Sequence, residues 1–381
     1  MLGINSNINS LVAQQNLNGS QSALSQAITR LSSGKRINSA ADDAAGLAIS
    51  TRMQTQINGL NQGVSNANDG VSMIQTASSA LSSLTSSLQR IRQLAVQAST
   101  GSLSSSDQAA LQKEVAAQVS EVNRIASQTT YNGTNILDGS AGSVTFQVGA
   151  NVGQTISLDL SQSMSAAKIG GGLVQTGQTV GTVSVSLDAA GAYTATGATI
   201  TAVNVLSDGK GGYTFTDQNN QAINSTVAGA IFSTGTQSGT GTAITTLALS
   251  AGATTTAGAG SAAQVAAVAQ INAINSPPTV SGLDISTVTG ANQALVSIDN
   301  ALQTVNNLQA SLGAAQNRFT AIATSQQAES TDLSSAQSQI TDANFAQETA
   351  NLSKAQVLQQ AGISVLAQAN SNPQQVLKLL Q

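Results

Sequence analysis

Apolar residues near the start of the chain fall three and four positions apart. Ile4, Ile8 and Leu11 begin the run, and Leu17, Leu24, Ile28 and Leu31 continue it. One stripe on one helix explains both sets. A longer seam follows: Val64, Ala67, Val71, Ile74, Ala77, Leu81, Leu84, Leu88, Ile91, Ala95 and Ala98, with one slip near Ile74. Such a seam spans roughly 50 Å at 1.5 Å per residue, longer than an ordinary globular helix and suited to a coiled-coil-like bundle. The segment TGSLSSSDQ breaks it. Ser105 and Gln108 have capping-box spacing, Asp107 suits the positive end of a new helix, and Leu111, Val115, Val119, Val122 and Ala126 form its stripe.

The pattern then changes period. YNGTNILDG (131–139) carries Asn-Gly and Asp-Gly turn steps, and VTFQVGANVGQTISLDL alternates about a Gly-rich turn, which predicts a β-hairpin. From about Gly170 to Ser281, Thr, Gly, Ala and Ser dominate. Short runs such as TVSVSL and GYTFTD predict small strands, and 262–275 a short helix. SPP (276–278) marks a boundary. Helix returns with Leu295, Ile298, Leu302, Val305, Leu308, Leu312, Ala315, Phe319 and Ile322, continued by Leu333 and Ile340. TDAN (341–344) can cap a further helix bearing Leu358, Ala361 and Val365. Asn372 and Pro373 suit the start of a last one. The expected fold is mainly α with a β-rich insert: a long antiparallel coiled-coil-like rod built from both chain ends, a β-hairpin and an outer β domain. Neither terminal helix would be stable alone in water. Its partner is either the other terminus or another copy of the molecule.

Composition narrows the chemistry. The 381 residues include no His, no Cys and no Trp, and aromatics are 2%. Metal sites built on His or thiolate, His general bases, Cys nucleophiles and disulfides are all excluded. A net charge of −4 without a Lys/Arg tract lacks the electrostatic footprint of nucleic-acid binding. The first fifteen residues have neither the basic nor the apolar region of a cleaved signal peptide. No apolar run reaches membrane-spanning length. The expectation is no cofactor, no membrane and no nucleic acid.

One stretch concentrates charge. Arg30, Lys35, Arg36, Asp42, Asp43 and Arg52 lie within 23 positions, in a chain that is 8% charged. Adjacent aspartates on a helix point about 100° apart and do not share a proton as a catalytic dyad does. Asp42 and Asp43 therefore read as contact or capping groups, with Lys35 and Arg36 as nearby opposite charges and Asn38 as another candidate cap. Farther on, Arg90 and Leu94 lie off the seam at i and i+4 and are expected to form one exposed patch.

The motifs INSNINSL, RLSSGKRINSAADDAAGLAIS, LQRIRQLAVQ, YNGTNILDG and ITDANFAQETANLSKAQVLQQAGISVLAQAN resemble bacterial flagellin, over roughly 1–160 and 282–381. The resemblance implies a structural subunit, not an enzyme, that polymerises into the flagellar filament, with ends that fold on assembly. It implies a terminal coiled-coil domain from 1–45 and 343–381, an inner rod from 46–170 and 285–342, and a variable surface domain at 171–284. Implied subunit-packing residues are Ile4, Ile8, Leu11, Leu24, Ile28, Leu31, Lys35, Arg36, Asp42, Asp43, Leu358 and Val365. Arg90, Leu94 and Glu114 match a surface used for packing and by the animal receptor, although Gln93 stands where Glu is usual. Residues 29–50 match an epitope sensed by plants. Asp107 and Arg124 match positions linked to two packing states. Implied partners are further copies, an export chaperone, the filament cap, hook-associated junction proteins and host flagellin receptors. The implied location is extracellular, by export without a cleaved signal. A hook–filament junction protein is the alternative. The zinc protease that some flagellins carry needs histidines absent here.

Overall fold

The computed structural model describes residues 7–188, 190, 192–194, 196–237, 244–250 and 262–379. Its helices are α1 (Ile8–Ser33), α2 (Ala44–Ala98), α3 (Ser105–Gln128), α4 (Ser225–Ile231), α5 (Ala262–Ile274), α6 (Val288–Thr341) and α7 (Phe345–Leu379). Among the described residues nine strands, β1 (Thr130–Tyr131), β2 (Thr134–Asn135), β3 (Gly142–Gln147), β4 (Thr155–Leu160), β5 (Thr179–Leu187), β6 (Ile200–Ser207), β7 (Tyr213–Asp217), β8 (Phe232–Gln237) and β9 (Ile244–Leu249), form four small sheets: β1-β2, β3-β4, β5-β6-β7 and β8-β9. The expected mainly α fold with a β-rich middle is what the chain adopts. No helix among the described residues is long and apolar enough to cross a membrane.

The chain forms two compact units. The first holds 1–67, 147–155 and 321–381. In it α1 and α7 run antiparallel: the Asn7 side chain donates to the Ala369 carbonyl at 2.9 Å, and Arg30 pairs with Glu348 at 3.3 Å. Their facing sides keep a strict three/four rhythm. On α1 the shielded positions are Ser10, Ala13, Leu17, Ser20, Leu24, Ala27 and Leu31; on α7 they are Glu348, Leu352, Ala355, Gln359, Gly362, Leu366 and Ala369. This is coiled-coil spacing with small and polar residues at many core positions. Gly34, at φ 69°, ends α1 in the left-handed conformation that favours glycine. Asn344 caps α7, its side chain accepting from the backbone N–H of Ala346 and Gln347. Helix α7 runs unbroken to Leu379, so the expected restart at Asn372 and Pro373 does not occur. One proline deletes one backbone donor, and the helix continues through it.

In the same unit the first part of α2 lies against the last part of α6. The Ser330 hydroxyl donates to Asn61 Oδ1 at 2.9 Å, and the Gln337 amide donates to the Ser50 carbonyl at 3.0 Å. The tip of the β3-β4 hairpin rests on α2, where Asn66 donates to the Gln147 carbonyl at 2.7 Å. A Cβ on Gly63 would stand 2.1 Å from the Val148 carbonyl oxygen, so no larger residue fits there without moving the hairpin.

The second unit, 68–146 and 156–320, holds the larger core. Ile74, Leu81, Leu84, Leu88, Ile91 and Leu94 of α2 are fully buried, with Val115 and Val122 of α3 and Ile298, Val305, Leu312 and Phe319 of α6. Phe319 meets Phe146 edge to face, ring centroids 5.3 Å apart. The cap of α3 is Ser104 with Asp107, not Ser105 with Gln108. Ser104 Oγ accepts from the Asp107 N–H, and the Asp107 carboxylate accepts from the Ser104 N–H. The shorter aspartate reaches back as well as a glutamine would, one residue earlier. The Asn132-Gly133 step turns β1 into β2, both residues at positive φ. In the insert, strands β5 to β9 and α5 close around Val183, Leu187, Val203, Val205, Ile231, Phe232 and Ile271. Helix α4 and the β8-β9 pair have no counterpart in the pattern-based expectation.

Candidate functional site

The apolar residues of the terminal helices split into two sets. Leu17, Leu24 and Leu31 belong to the α1 side that faces α7. Ile8, Leu11, Val12 and Ile28 point away and stay exposed. The single stripe expected for α1 is therefore not one face: Leu17, Leu24 and Leu31 face α7, and four other large apolar residues lie off that side. Helix α7 behaves alike. Phe345, Val357, Leu358, Ile363 and Val365 are 48–69% exposed. Val12, Phe345, Val357 and Ile363 lie outside the expected site set. Their signal is a surplus of apolar residues beyond one face. Ile4 lies outside the described residues.

Between the helices a groove of ≈ 560 Å³ is lined by Ala13, Gly19, Ala23, Leu358, Ala361 and Val365, among others. Small side chains on α1 expose the flank of α7. Beside it, a depression of ≈ 300 Å³ carries Arg30, Glu348 and Lys354. Covering an exposed Ile, Leu, Val or Phe contributes about 1–2 kcal/mol, given that each is already partly shielded. Nine such exposed side chains among the described residues of two helices are more than isolated surface leucines account for.

The charged stretch is a joint. The Arg36 N–H donates to the Thr341 carbonyl at 2.6 Å, and the Ala343 N–H donates to the Gly34 carbonyl at 2.9 Å. The Arg36 guanidinium donates to the Ile340 carbonyl at 2.6 Å, at the negative end of α6. The two helix breaks are thus clipped together, with Lys35 opposite Asp342. The Asp43 carboxylate accepts from the Gly46 N–H at 2.9 Å and starts α2. Asp42 closes the preceding loop. The Gln26 side chain and the N–H groups of Asn38 and Ser39 hold its carboxyl below the ordinary value. Each aspartate has its own partners, which is not the geometry of a shared-proton dyad.

Leu94 is a correction. It is 1% exposed and belongs to the core, so Arg90 and Leu94 form no common surface patch. This end of α2 must also meet α3, whose Gln108 amide donates to the Ala98 carbonyl, and a second neighbour widens the buried face. Arg90 remains exposed and pairs with Glu114 of α3 at 2.5 Å. Arg124 pairs with Glu121 one turn away on α3, Nε to carboxylate 2.7 Å. Among the described residues there is no cluster of three or more potential metal ligands.

Three family models match the chain: the bacterial flagellin N-terminal helical region over 4–142, the flagellin D2 domain over 172–275, and the bacterial flagellin C-terminal helical region over 295–380. The chain is 36% identical to the B-type flagellin of Pseudomonas aeruginosa over 487 residues, covering 100% of both chains. It is 36% identical to flagellin B of Vibrio cholerae over 383 residues, covering 100% of this chain and 99% of the other. The structure of FliC from Burkholderia pseudomallei is 67% identical, with a TM-score of 0.60, over 66% of this chain and 100% of that one.

Proposed function

The chain belongs to the flagellin family, and we propose that it is the repeating structural subunit of a bacterial flagellar filament, whose terminal helices order on assembly. The observation that carries the reading is the number of large apolar side chains left exposed on α1 and α7, beside a groove lined largely by small residues. The α1–α7 seam itself is rich in Ala, Ser, Gly and Gln, so it adds little stability alone. Ordering costs about 1–2 kcal/mol of backbone entropy per residue. Burial of the exposed apolar side chains against neighbouring copies offsets that cost, which couples folding of the ends to polymerisation. Contacts of this head-to-tail kind do not close and give an open helical array.

The finer assignments follow the family resemblance. Before export the subunit would meet an export chaperone, and outside the cell, having left without a cleaved signal, the filament cap and hook-associated junction proteins. Full-length similarity to flagellins favours a filament subunit over a junction protein. We assign Arg90 and Glu114 to a surface used both for packing and by host flagellin receptors, and Asp107 and Arg124 to a packing-state switch acting through α3, on which both lie.

Seeded polymerisation of purified full-length chain tests the core of this reading, followed by sedimentation and electron microscopy. The wild type is expected to give filaments. Leu358→Glu and Val365→Glu should leave the far-ultraviolet spectrum of the monomer unchanged, since both side chains are exposed, and should abolish filaments. Normal filaments from both variants would remove these exposed side chains from assembly.

A further inference from the structure

We infer that Gly170–Gly172 is a hinge between the insert and the helices of the second unit, and that a polar latch on α6 holds it shut. This goes beyond the assembly reading and does not depend on it. Two links join the insert to α2, α3 and α6 within one compact unit. They are paired up to Ile169 and Val280: the Val280 N–H donates to the Ile169 carbonyl at 3.0 Å, and the Ser281 N–H donates to the Ala166 carbonyl at 2.9 Å. Bending therefore falls beyond that pair, at Gly170, Gly171 and Gly172 on one link and at Ser276–Thr279 on the other. Consecutive glycines give a pliant link. Two of them are nonetheless held close. Gly170 stands at φ 90°, and a Cβ on it would lie 2.6 Å from Ser297 Oγ and 2.9 Å from the Ser297 carbonyl oxygen. On Gly171 a Cβ would lie 2.9 Å from Thr279 Cγ2. Gly172, at φ 111°, has open space around it.

The latch is one stripe of α6. Gln293, Val296, Ser297 and Asn300 recur three and four positions apart, so they share a face. The Gln293 amide donates to the Ala273 carbonyl at 2.9 Å, the Ser297 hydroxyl to the Pro278 carbonyl at 2.7 Å, and the Asn300 amide to the Leu173 carbonyl at 3.2 Å. Both links are thus fastened to the same helix. Asp299 adds a charged bridge. It pairs with Arg92 of α2 at 2.7 Å, and the Gln178 amide, just before β5, reaches its second oxygen at 3.5 Å. Among the described residues, Val296 is what α6 supplies to the buried core of the insert. The apolar seat is small, so polar side chains do most of the fastening. Water replaces each such bond when it opens, so each contributes modestly and the set is reversible. Room to move lies alongside. A cleft of ≈ 420 Å³ is lined from the helices by Arg92, Asn292 and Asp299 and from the insert by Thr182, Ala267 and Gln270. A pliant link, a reversible fastening and an open cleft make a hinge that is closed at rest and can be released. Closed, it sets the same angle between insert and helices in every copy.

Because the chain has no cysteine, spin labels go only where a cysteine is placed. Double electron–electron resonance on the free full-length chain then reads the angle. One label sits on α3, at exposed Ala110→Cys, and the other on the insert, at exposed Asn219→Cys. With the latch unaltered, one narrow distance is expected. Gln293→Ala with Ser297→Ala and Asn300→Leu removes the three donors. This background should keep the helical far-ultraviolet spectrum and widen the distribution roughly two-fold, as a released domain samples many angles. A second label pair, Ala110→Cys with Lys168→Cys just before the glycines, should stay narrow in both backgrounds. A broad insert distance with the latch intact would overturn the inference. So would a narrow one with the donors removed, which would give the fastening to Val296. Broadening at Lys168 would place the motion outside the glycines, and loss of the helical spectrum would make the donors part of one common core; either result also overturns it. Seeded polymerisation of the unlabelled chain is read separately, so the assembly reading stands or falls apart from this one.

Discussion

Gly70 on α2 stands where a methyl group would meet the buried ring of Phe319. A Cβ there would lie 2.7 Å from one ring carbon and 2.9 Å from the next. Carbon atoms prefer about 3.5–4.0 Å, so Gly70→Ala must push the ring roughly 1 Å. Phe319 is fully buried and locked edge to face with Phe146, so the ring has nowhere free to go. Overpacking of this kind costs about 1–3 kcal/mol. Replacing a mid-helix glycine by alanine gains about 1 kcal/mol. The substitution alone should therefore be neutral to destabilising by about 2 kcal/mol. Phe319→Ala removes the obstacle at a cost of about 3–5 kcal/mol. In that background Gly70→Ala keeps its helical gain, fills part of the void, and should stabilise. The sign of one substitution thus reverses with the other. Thermal unfolding of the full-length chain, followed by circular dichroism, reads this directly, at about 2–4 °C per kcal/mol for a unit of this size. An equal rise in Tm from Gly70→Ala in both backgrounds would refute the packing argument.

Two further outcomes are expected. Asp43→Ala removes the cap of α2 and should cost about 1 kcal/mol, seen as a lower Tm; an unchanged Tm would mean that Asp43 does not cap. The carboxyls of Asp42 and Asp138 are held below the ordinary 3.8, the first by the Gln26 side chain and nearby N–H groups, the second by the hydroxyl and N–H of Ser140. A lowered folded-state value favours folding of the ionised form, so this contribution is present above pH 3.8 and fades as pH falls through the lower folded value. Asp42→Asn should accordingly flatten the acid limb of stability against pH, and an identical limb would contradict the assignment.

The long helices were legible because their signals are local and repeated: one seam of apolar residues announces α2, and another α6. What the pattern could not show is how many neighbours each helix has. Leu94 looked free because it lay off the α2 seam, but it is buried, and α3, reached through a break near Ser104, is bonded to that end of α2. The same limit merged the two faces of α1 into one stripe. Ile8 and Leu17 are both apolar, and only the position of α7 says which of them is covered. In the insert, TVSVSL alternates cleanly and is strand β5. Helix α4 has seven residues, two turns with no period to detect. The joint at Gly34–Asp43 advertised its charges plainly; Asp42 and Asp43 find partners nearby, but those of Arg36 lie 304 residues away and more, at the far end of α6.

That separation has a consequence for timing. Arg30 and Glu348 are 318 positions apart in the chain. Closing so long a loop costs only about 0.6 kcal/mol more than closing one half as long, so distance hardly weakens the finished pair. It does govern when the pair can exist. During synthesis α1 emerges well before α7 and waits for it while some three hundred residues follow. The earlier helix is thus slow to find its mate, and loss of α7 would strand it.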